Sequence, residues 1–113
     1  MVVAAYVPER GDFIWLNFNP QAGHEQSGER PALVLSPQDY NRRTGLLIAC
    51  PVTSKVKGYP FEVRVSGGEK INGAILSDQV KSLDWKVRKA TFAEKASAQV
   101  IAETQTKLLL LLE

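Results

Sequence analysis

The sequence predicts an α+β protein that is mainly β, with a small curled antiparallel sheet, one short helix and a C-terminal helix. Short segments rich in Val, Ile and Leu recur along the chain, separated by Gly, Pro, Ser or Asn, a pattern typical of strands joined by turns. Helix signals occur at two places. With 113 residues, 44% of them hydrophobic, the chain is expected to form a single domain, residues 1–113, around one core.

The first predicted strand covers residues 12–18, where Ile14, Leu16 and Phe18 alternate with their neighbours and form one strongly apolar face. Four further segments have the composition of strands, namely 32–36, 46–52, 61–65 and 73–77. Residues 80–85 and 87–92 are expected to add one or two more, with Asp84 near the bend between them. Short strands closed by turns favour a curled antiparallel sheet or barrel.

Two helices are predicted from their end signals. Ser36 is expected to cap the first helix, with Pro37 at its first position and Gly45 closing it. Ser97 is expected to cap the second helix. An apolar stripe at helical spacing on that helix is expected to pack on the core and comprises Val100, Ile101, Leu108, Leu111 and Leu112.

The charge of the chain is unevenly distributed, although the formal net charge is only +2. Residues 41–89 carry 10 basic and 4 acidic side chains, whereas residues 1–40 carry 2 and 5, and residues 90–113 carry 2 and 3. A central excess of cations suits an anionic partner such as nucleic acid. Charge alone is equally typical of a solvated surface.

Other features limit the classes of function. The longest apolar run, residues 108–112, is too short to span a bilayer, and the N-terminus lacks the pattern of a signal peptide. A cytoplasmic protein with no membrane association is therefore expected. Cys50 is the single cysteine and lies in an apolar segment, where a free thiol usually behaves as a small hydrophobe, so no metal or redox role is predicted.

Seven short motifs occur in an order that is similar to one known family. They are YVP from Tyr6, GDFIW from Gly11, GHEQ from Gly23, RPALVLSP from Arg30, PVT from Pro51, KGYPF from Lys57 and DQ from Asp78. The chain therefore resembles the MazF/PemK-like toxins of type II toxin–antitoxin systems, and the MazF-like members most. The resemblance covers nearly the whole chain.

The resemblance implies both a fold and an activity. The fold is an SH3-like antiparallel sheet with attached helices, of the kind shared by PemK-like and CcdB-like toxins. The activity is sequence-specific cleavage of single-stranded RNA, mRNA in particular, by a homodimeric endoribonuclease that needs no metal or cofactor. Such a toxin inhibits translation and growth until a cognate MazE-like antitoxin neutralises it.

The resemblance also implies which residues are catalytic. Arg30 and Thr53 match the family's two catalytic positions. A guanidinium suits the charge that builds up on a phosphate in the transition state, and a threonine hydroxyl can donate to a phosphate oxygen or relay a proton. Glu25 is expected to orient Arg30 or to act as general base, and His24 is an auxiliary candidate for proton transfer.

The predicted RNA-binding residues lie in the second half of the chain. Lys55, Lys57 and Tyr59 occur in a segment whose composition favours an exposed loop, where cations can hold phosphates and a ring can stack on an unpaired base. Asp78 and Gln79 are also expected to bind RNA, and Asp78 is expected either to contact a base edge or to hold the dimer together.

One departure from the family pattern affects the choice of mechanism. Some PemK-like members use an aspartate at the position of Asp78 together with an arginine two residues upstream. Leu76 stands at that upstream position here. This substitution favours a mechanism based on Arg30 with Thr53.

Two other functions remain open on the sequence. A CcdB-like topoisomerase poison would have the same general fold, because fold does not decide function. A non-catalytic RNA-binding module would explain the basic central region. Neither needs Arg30 and Thr53 for chemistry, so RNA cleavage distinguishes the endoribonuclease from both alternatives.

Overall fold

A computed structural model describes residues 5–19, 28–65 and 70–113. Within these ranges the chain forms seven strands, two α-helices and one 3₁₀ turn. The strands are β1 (Asp12–Asn17), β2 (Glu29–Val34), β3 (Leu46–Thr53), β4 (Glu62–Val65), β5 (Gly73–Leu76), β6 (Lys81–Asp84) and β7 (Thr91–Lys95). The helices are α1 (Gln38–Thr44) and α2 (Ala98–Leu110), and the 3₁₀ turn is Ser77–Gln79. The predicted α+β class with a short helix and a C-terminal helix is confirmed.

The strands form one antiparallel sheet that curls around β3. The strand order is β4-β5-β3-β2-β1-β7, and β6 pairs with the first half of β3. The last two residues of β3, Val52 and Thr53, pair instead with Ile75 and Ala74 of β5. Because β3 exchanges one partner for another along its length, its C-terminal end lies beside β5 and the segments that β5 connects.

Both faces of the sheet are buried, which differs from the expected single core with one apolar face on the first strand. Phe13 belongs to a cluster that also contains Leu33 and Cys50 and is covered by α2. Ile14 and Leu16 belong to a second cluster on the opposite face. Successive residues of a strand point to opposite faces, and the curled chain covers the face that α2 leaves open.

The ends of α1 are only partly as predicted. Gly45 adopts φ 73° and its amide donates to the Asn41 carbonyl, so the predicted helix end is confirmed. The prediction that Ser36 caps the helix is wrong, because Pro37 occupies that position. The Ser36 hydroxyl donates instead to Asn41 Oδ1 at 2.6 Å and accepts from the Ile48 amide at 2.8 Å, which ties α1 to β3.

Helix α2 begins as predicted but ends earlier. Ser97 Oγ accepts from the Val100 amide at 3.1 Å, so the N-cap is confirmed. Val100, Ile101 and Leu108 pack on the first apolar cluster, also as predicted. Leu111 and Leu112 do not, because the helix ends at Leu110 and leaves them 44% and 72% exposed.

The region between β6 and β7 explains the error in the last predicted strand. Asp84 Oδ1 accepts from the amides of Lys86 and Val87, so the bend near Asp84 is confirmed. The turn that it stabilises continues to residue 89, where Lys89 adopts φ 55°. As a result β7 covers Thr91–Lys95, later in the chain than the predicted 87–92.

Candidate active site

A cleft of about 500 Å³ lies beside the C-terminal end of β3. Its walls come from β3, the loop of residues 54–60, the start of β4 and the 3₁₀ turn after β5. The lining residues are Thr53, Lys55, Lys57, Tyr59, Phe61, Glu62, Leu76, Asp78 and Gln79. The structure thus brings all five residues that the sequence predicts to contact RNA into one cavity, together with Thr53. We call this cavity the main cleft and residues 54–60 the cleft loop.

The main cleft forms because the backbone at the start of β5 lies close to the backbone at the end of β3. Strand β5 pairs with both β3 and β4, and it continues directly into the 3₁₀ turn that carries Asp78 and Gln79. Gly73 begins β5 with φ +123°, and a Cβ there would collide with the Thr53 carbonyl oxygen. Only glycine fits such a position without strain, so Gly73 permits the contact that places Thr53 beside the 3₁₀ turn.

Thr53 is buried, with a relative exposure of 7%. Its Oγ1 accepts a hydrogen bond from the Lys55 amide at 3.1 Å. A hydroxyl oxygen that accepts from a backbone amide keeps its own hydrogen for donation. The Thr53 hydroxyl can therefore still donate a hydrogen bond at the edge of the main cleft.

The cleft loop presents cationic and aromatic groups to solvent. Lys55 and Lys57 are exposed, and Tyr59 is 60% exposed. Lys57 Nζ lies 5.7 Å from the centroid of the Tyr59 ring, within the range of a cation–π contact. The loop offers a charged group for a phosphate and a ring face for a base.

Glu62 is a residue of this cleft that the sequence did not single out. Glu62 is 7% exposed, and its carboxylate accepts from the amides of Lys57 at 3.1 Å and Gly58 at 2.8 Å. The Glu62 main-chain carbonyl accepts from Lys107 Nζ at 2.8 Å. The sequence only marked Glu62 as part of the predicted strand 61–65, and an acidic residue four positions after a glycine is a weak signal.

Cys50 is not among the residues that line the main cleft. The thiol is fully buried, which confirms that it packs as a small hydrophobe. Burial and, to a lesser extent, the charge of Asp78 raise the pKa of Cys50 to about 12. A thiol that remains protonated at neutral pH is a poor nucleophile.

Arg30 lies at the same end of the sheet as Thr53 but lines a different cavity. The last β2–β3 pair is Ala32 with Pro51, and Arg30 and Thr53 each lie two residues beyond it. Arg30 lines a side pocket of about 200 Å³, whose other lining residues are Trp15, Glu29, Pro31, Val52, Ser54, Lys70, Ile71 and Asn72. The end of β3 separates this side pocket from the main cleft.

Two of the predicted catalytic residues, His24 and Glu25, lie outside the described residues. Within the parts of the chain that the structure does describe, no group of three or more His, Cys, Asp or Glu side chains is arranged to hold a metal ion. No helix among those residues is long and apolar enough to cross a membrane.

Comparison with known proteins places this chain and its fold among toxins of type II toxin–antitoxin systems. A family model described as the PemK-like, MazF-like toxin of such systems matches residues 9–112. The chain belongs to this PemK-like, MazF-like family.

Relatives and solved structures agree with that assignment. The chain is 53% identical over 90 residues to the endoribonuclease toxin MazF of Escherichia coli K12, a match that covers 80% of each protein. A crystal structure of MazF from Deinococcus radiodurans superposes with a TM-score of 0.92 at 56% identity, covering 96% of this chain and 98% of that one. A MazE–MazF structure from the same organism gives a TM-score of 0.87 at 56% identity, covering 96% and 97%.

Proposed function

We propose that this protein is the toxin of a toxin–antitoxin pair and acts as a metal-independent, sequence-specific endoribonuclease on single-stranded RNA. Cleavage of mRNA would inhibit translation and growth. The observation that carries the proposal is the main cleft, where two lysines, an exposed tyrosine and two polar side chains converge on Thr53. The endoribonuclease activity for which the E. coli relative is named supports the same conclusion.

The reaction needs three contributions from the protein. The ribose 2′-hydroxyl must lose its proton, the charge on the phosphorane must be stabilised, and the leaving 5′-oxygen must be protonated. The products are a 2′,3′-cyclic phosphate and a 5′-hydroxyl. We assign charge stabilisation to Arg30 and hydrogen-bond donation to Thr53, with Glu25 and His24 as candidates for proton transfer or for orienting Arg30.

The separation of Arg30 and Thr53 defines how the RNA would lie. Arg30, on the neighbouring strand β2, lines the side pocket, and Thr53, the residue at the end of β3, lines the main cleft. A scissile phosphate seated over this strand end would have the guanidinium on one side and the hydroxyl on the other. The RNA strand would then continue along the main cleft, where Lys55 and Lys57 hold phosphates and Tyr59 stacks on a base.

Base selection is assigned to the 3₁₀ turn. Asp78 is exposed and Gln79 partly buried at one wall of the main cleft. Carboxylate and amide groups can distinguish bases by their donor and acceptor edges when the bases are unpaired. These two side chains therefore suit contacts to base edges.

The partners proposed for the protein follow from its charge and family. An acidic, partly disordered segment of a MazE-like antitoxin would complement the cationic main cleft and compete with RNA. The MazE–MazF structure of the D. radiodurans relative supports this partner. A cytoplasmic location is proposed, since mRNA and the antitoxin are found there. Residues 1–113 are proposed to act as a single domain.

A homodimer is proposed to form through an exposed apolar groove between α1, β3 and the end of α2. The groove has a volume of about 570 Å³, and its apolar lining includes Leu35, Pro37, Tyr40, Ile48, Leu108 and Leu109. Ile48 and Leu109 are 37% and 57% exposed in the single chain, and a patch of this kind marks an interaction site. None of the groove residues lines the main cleft, so a second copy packed by two-fold symmetry would leave the cleft open.

Incubation of purified protein with a long single-stranded RNA in excess EDTA tests the proposed activity. Discrete cuts with 5′-hydroxyl ends are expected from the wild type. Arg30→Ala is expected to abolish them while retaining its fold, and Arg42→Ala, which removes an exposed arginine on α1, is the matched control. Intact RNA with folded wild-type protein would favour a topoisomerase poison or a simple RNA-binding module, and undiminished cleavage by Arg30→Ala would remove that residue from the mechanism.

A further inference from the structure

The carboxylate of Glu62 is committed to the backbone of the cleft loop. Its Oε1 accepts from the Gly58 amide at 2.8 Å and the Lys57 amide at 3.1 Å, and Oε2 lies 3.3 Å from the Lys57 amide. Backbone amides that donate to a carboxylate form charge-assisted bonds, which are stronger than bonds between neutral groups. A single side chain thus holds two consecutive peptide units of the cleft loop.

Burial makes these bonds necessary to the local structure. Glu62 is 7% exposed, and a buried carboxylate is costly unless hydrogen bonds replace its lost hydration. Lys107 does not supply that compensation, because its Nζ donates to the Glu62 main-chain carbonyl. The loop amides do, so the loop conformation and the burial of Glu62 stabilise each other.

The bonds fix the part of the loop that carries the proposed RNA contacts. Lys57 and Tyr59 flank Gly58, which adopts φ +77°. The fixed amides of Lys57 and Gly58 hold the backbone from which the Lys57 ammonium and the Tyr59 ring project towards each other, 5.7 Å apart. Without the carboxylate, the amides of Lys57 and Gly58 would lose their bonds to Glu62, and only the bond from the Glu62 amide to the Tyr59 carbonyl, at 3.0 Å, would remain.

We propose that Glu62 is a positioning residue that presents Lys57 and Tyr59 to RNA by holding the amides of Lys57 and Gly58, an inference that rests on the proposed ribonuclease function. Binding energy is gained when a loop is already ordered in its bound conformation, because less entropy is lost on association. Glu62 acts on RNA binding through the loop and transfers no proton.

The test compares Glu62→Ala and Glu62→Gln with a matched control. Asp84→Ala also removes a carboxylate that holds two consecutive amides, those of Lys86 and Val87, in a turn that does not line the main cleft. Two readouts are needed. Amide hydrogen exchange at residues 57 and 58 reports how well ordered the cleft loop is in the absence of RNA. Steady-state cleavage of a single-stranded RNA gives KM and kcat.

Glu62→Ala is expected to accelerate exchange at both amides and to raise KM about tenfold, with kcat within about twofold of wild type. Glu62→Gln keeps an Oε1 that can accept both bonds, so its KM and kcat are expected to stay within about threefold of wild type. Asp84→Ala is expected to leave KM unchanged.

Three results would overturn the proposal. They are a folded Glu62→Ala protein with wild-type KM, wild-type exchange at residues 57 and 58 in that variant, or a Glu62→Gln protein whose kcat falls as far as that of a catalytic variant. If Glu62→Ala does not fold, Glu62→Asp serves as the test instead. Its shorter side chain retains the charge but moves the carboxylate away from the amides of Lys57 and Gly58, so the same rise in KM is expected. If the wild type binds RNA but does not cleave it, the ribonuclease proposal fails, and RNA titration of the same variants still decides the role of Glu62.

Discussion

Lys95 Nζ lies 2.6 Å from Oδ1 of Asp12, a carboxylate whose side chain is only 2% exposed. The other oxygen of Asp12 accepts from the Tyr6 hydroxyl at 2.6 Å and from the Glu9 amide at 3.0 Å. Strand β7 and the segment before β1 are therefore joined through one buried group. Because three donors satisfy it, this carboxylate can remain buried without a large penalty.

The same cluster predicts a loss of stability at alkaline pH. Burial, followed by the hydrogen bond to Asp12, raises the pKa of Tyr6, and the hydrogen bond to Asp12 raises the pKa of Lys95. Above about pH 10 the unfolded chain releases these protons while the folded chain keeps them, so the free energy of unfolding falls as pH rises. Urea denaturation from neutral pH to about pH 11 measures this slope.

Tyr6→Phe is expected to flatten the alkaline slope because it removes one of the two titrating groups. Tyr40→Phe, which alters a partly exposed tyrosine on α1, is the matched control. Equal slopes for wild type and Tyr6→Phe would show that Tyr6 does not contribute.

Replacement of the Thr53 hydroxyl tests its assigned chemical role. Thr53→Val keeps the branched shape but removes the donor, and a loss of about 100-fold in kcat is expected, as for other groups that assist proton transfer. Thr53→Ser retains a hydroxyl and is expected to keep most of the activity. Single-turnover cleavage measures the chemical step, and a Thr53→Val protein with wild-type rate would exclude the hydroxyl from catalysis.

The two lysines of the cleft loop are expected to contribute to the salt dependence of RNA binding. Each cation that neutralises a phosphate of a single strand adds about 0.7 to the slope of log K against log salt concentration. Lys55→Ala with Lys57→Ala should lower the slope by about 1.4. Fluorescence titration at several salt concentrations gives the slope, and Lys86→Ala with Lys89→Ala in the turn after β6 is the control. An unchanged slope in the first double variant would remove the cleft loop from the binding site.

Gly73→Ala is expected to destabilise the protein more than Gly45→Ala does. Both glycines have positive φ, but only at Gly73 would a Cβ meet the Thr53 carbonyl. Gly45→Ala should cost about 1 kcal/mol through backbone strain alone, whereas Gly73→Ala adds a steric collision and should cost at least about 3 kcal/mol. Urea denaturation compares the two, and equal losses would contradict the close approach of β5 to β3.

Charge introduced into the apolar groove is expected to disrupt the proposed homodimer. Ile48→Lys and Leu109→Lys each place an ammonium group where a second copy would bury it. Val87→Lys is the matched control, since Val87 is 76% exposed and does not line the groove. Sedimentation should give a monomer for the two groove variants and a dimer for the control, and a dimer in all three would place the interface elsewhere.

Much of the local structure could be predicted from the sequence because its signals are local. Alternating apolar residues located β1, Gly45 marked the end of α1, and Ser97 marked the start of α2. Rules based on neighbouring residues failed where the folded chain offered a side chain other hydrogen-bond partners. Ser36 has the side chain of an N-cap, but its hydroxyl bonds to Asn41 and Ile48 instead.

Some residues of the candidate site could likewise be selected from the sequence, and others could not. The composition of one loop segment was sufficient to select Lys55, Lys57 and Tyr59, and the family resemblance supplied Arg30 and Thr53. The role of Glu62 could not be predicted, because its partners are backbone amides and every residue type except proline offers one.

The sequence by itself determined the family and the fold class and supplied the candidate site residues, because motif order, residue patterning and turn residues are properties of the chain. Only the tertiary structure decided that Arg30 and Thr53 line different cavities at the end of β3, and that Asp78 lines the same cavity as the cleft loop. The physical reason is that β3 exchanges partners along its length. Strand pairing over long sequence separations depends on backbone hydrogen bonds and on the space left at Gly73. This pairing sets the positions of Arg30, Thr53 and Asp78 relative to one another.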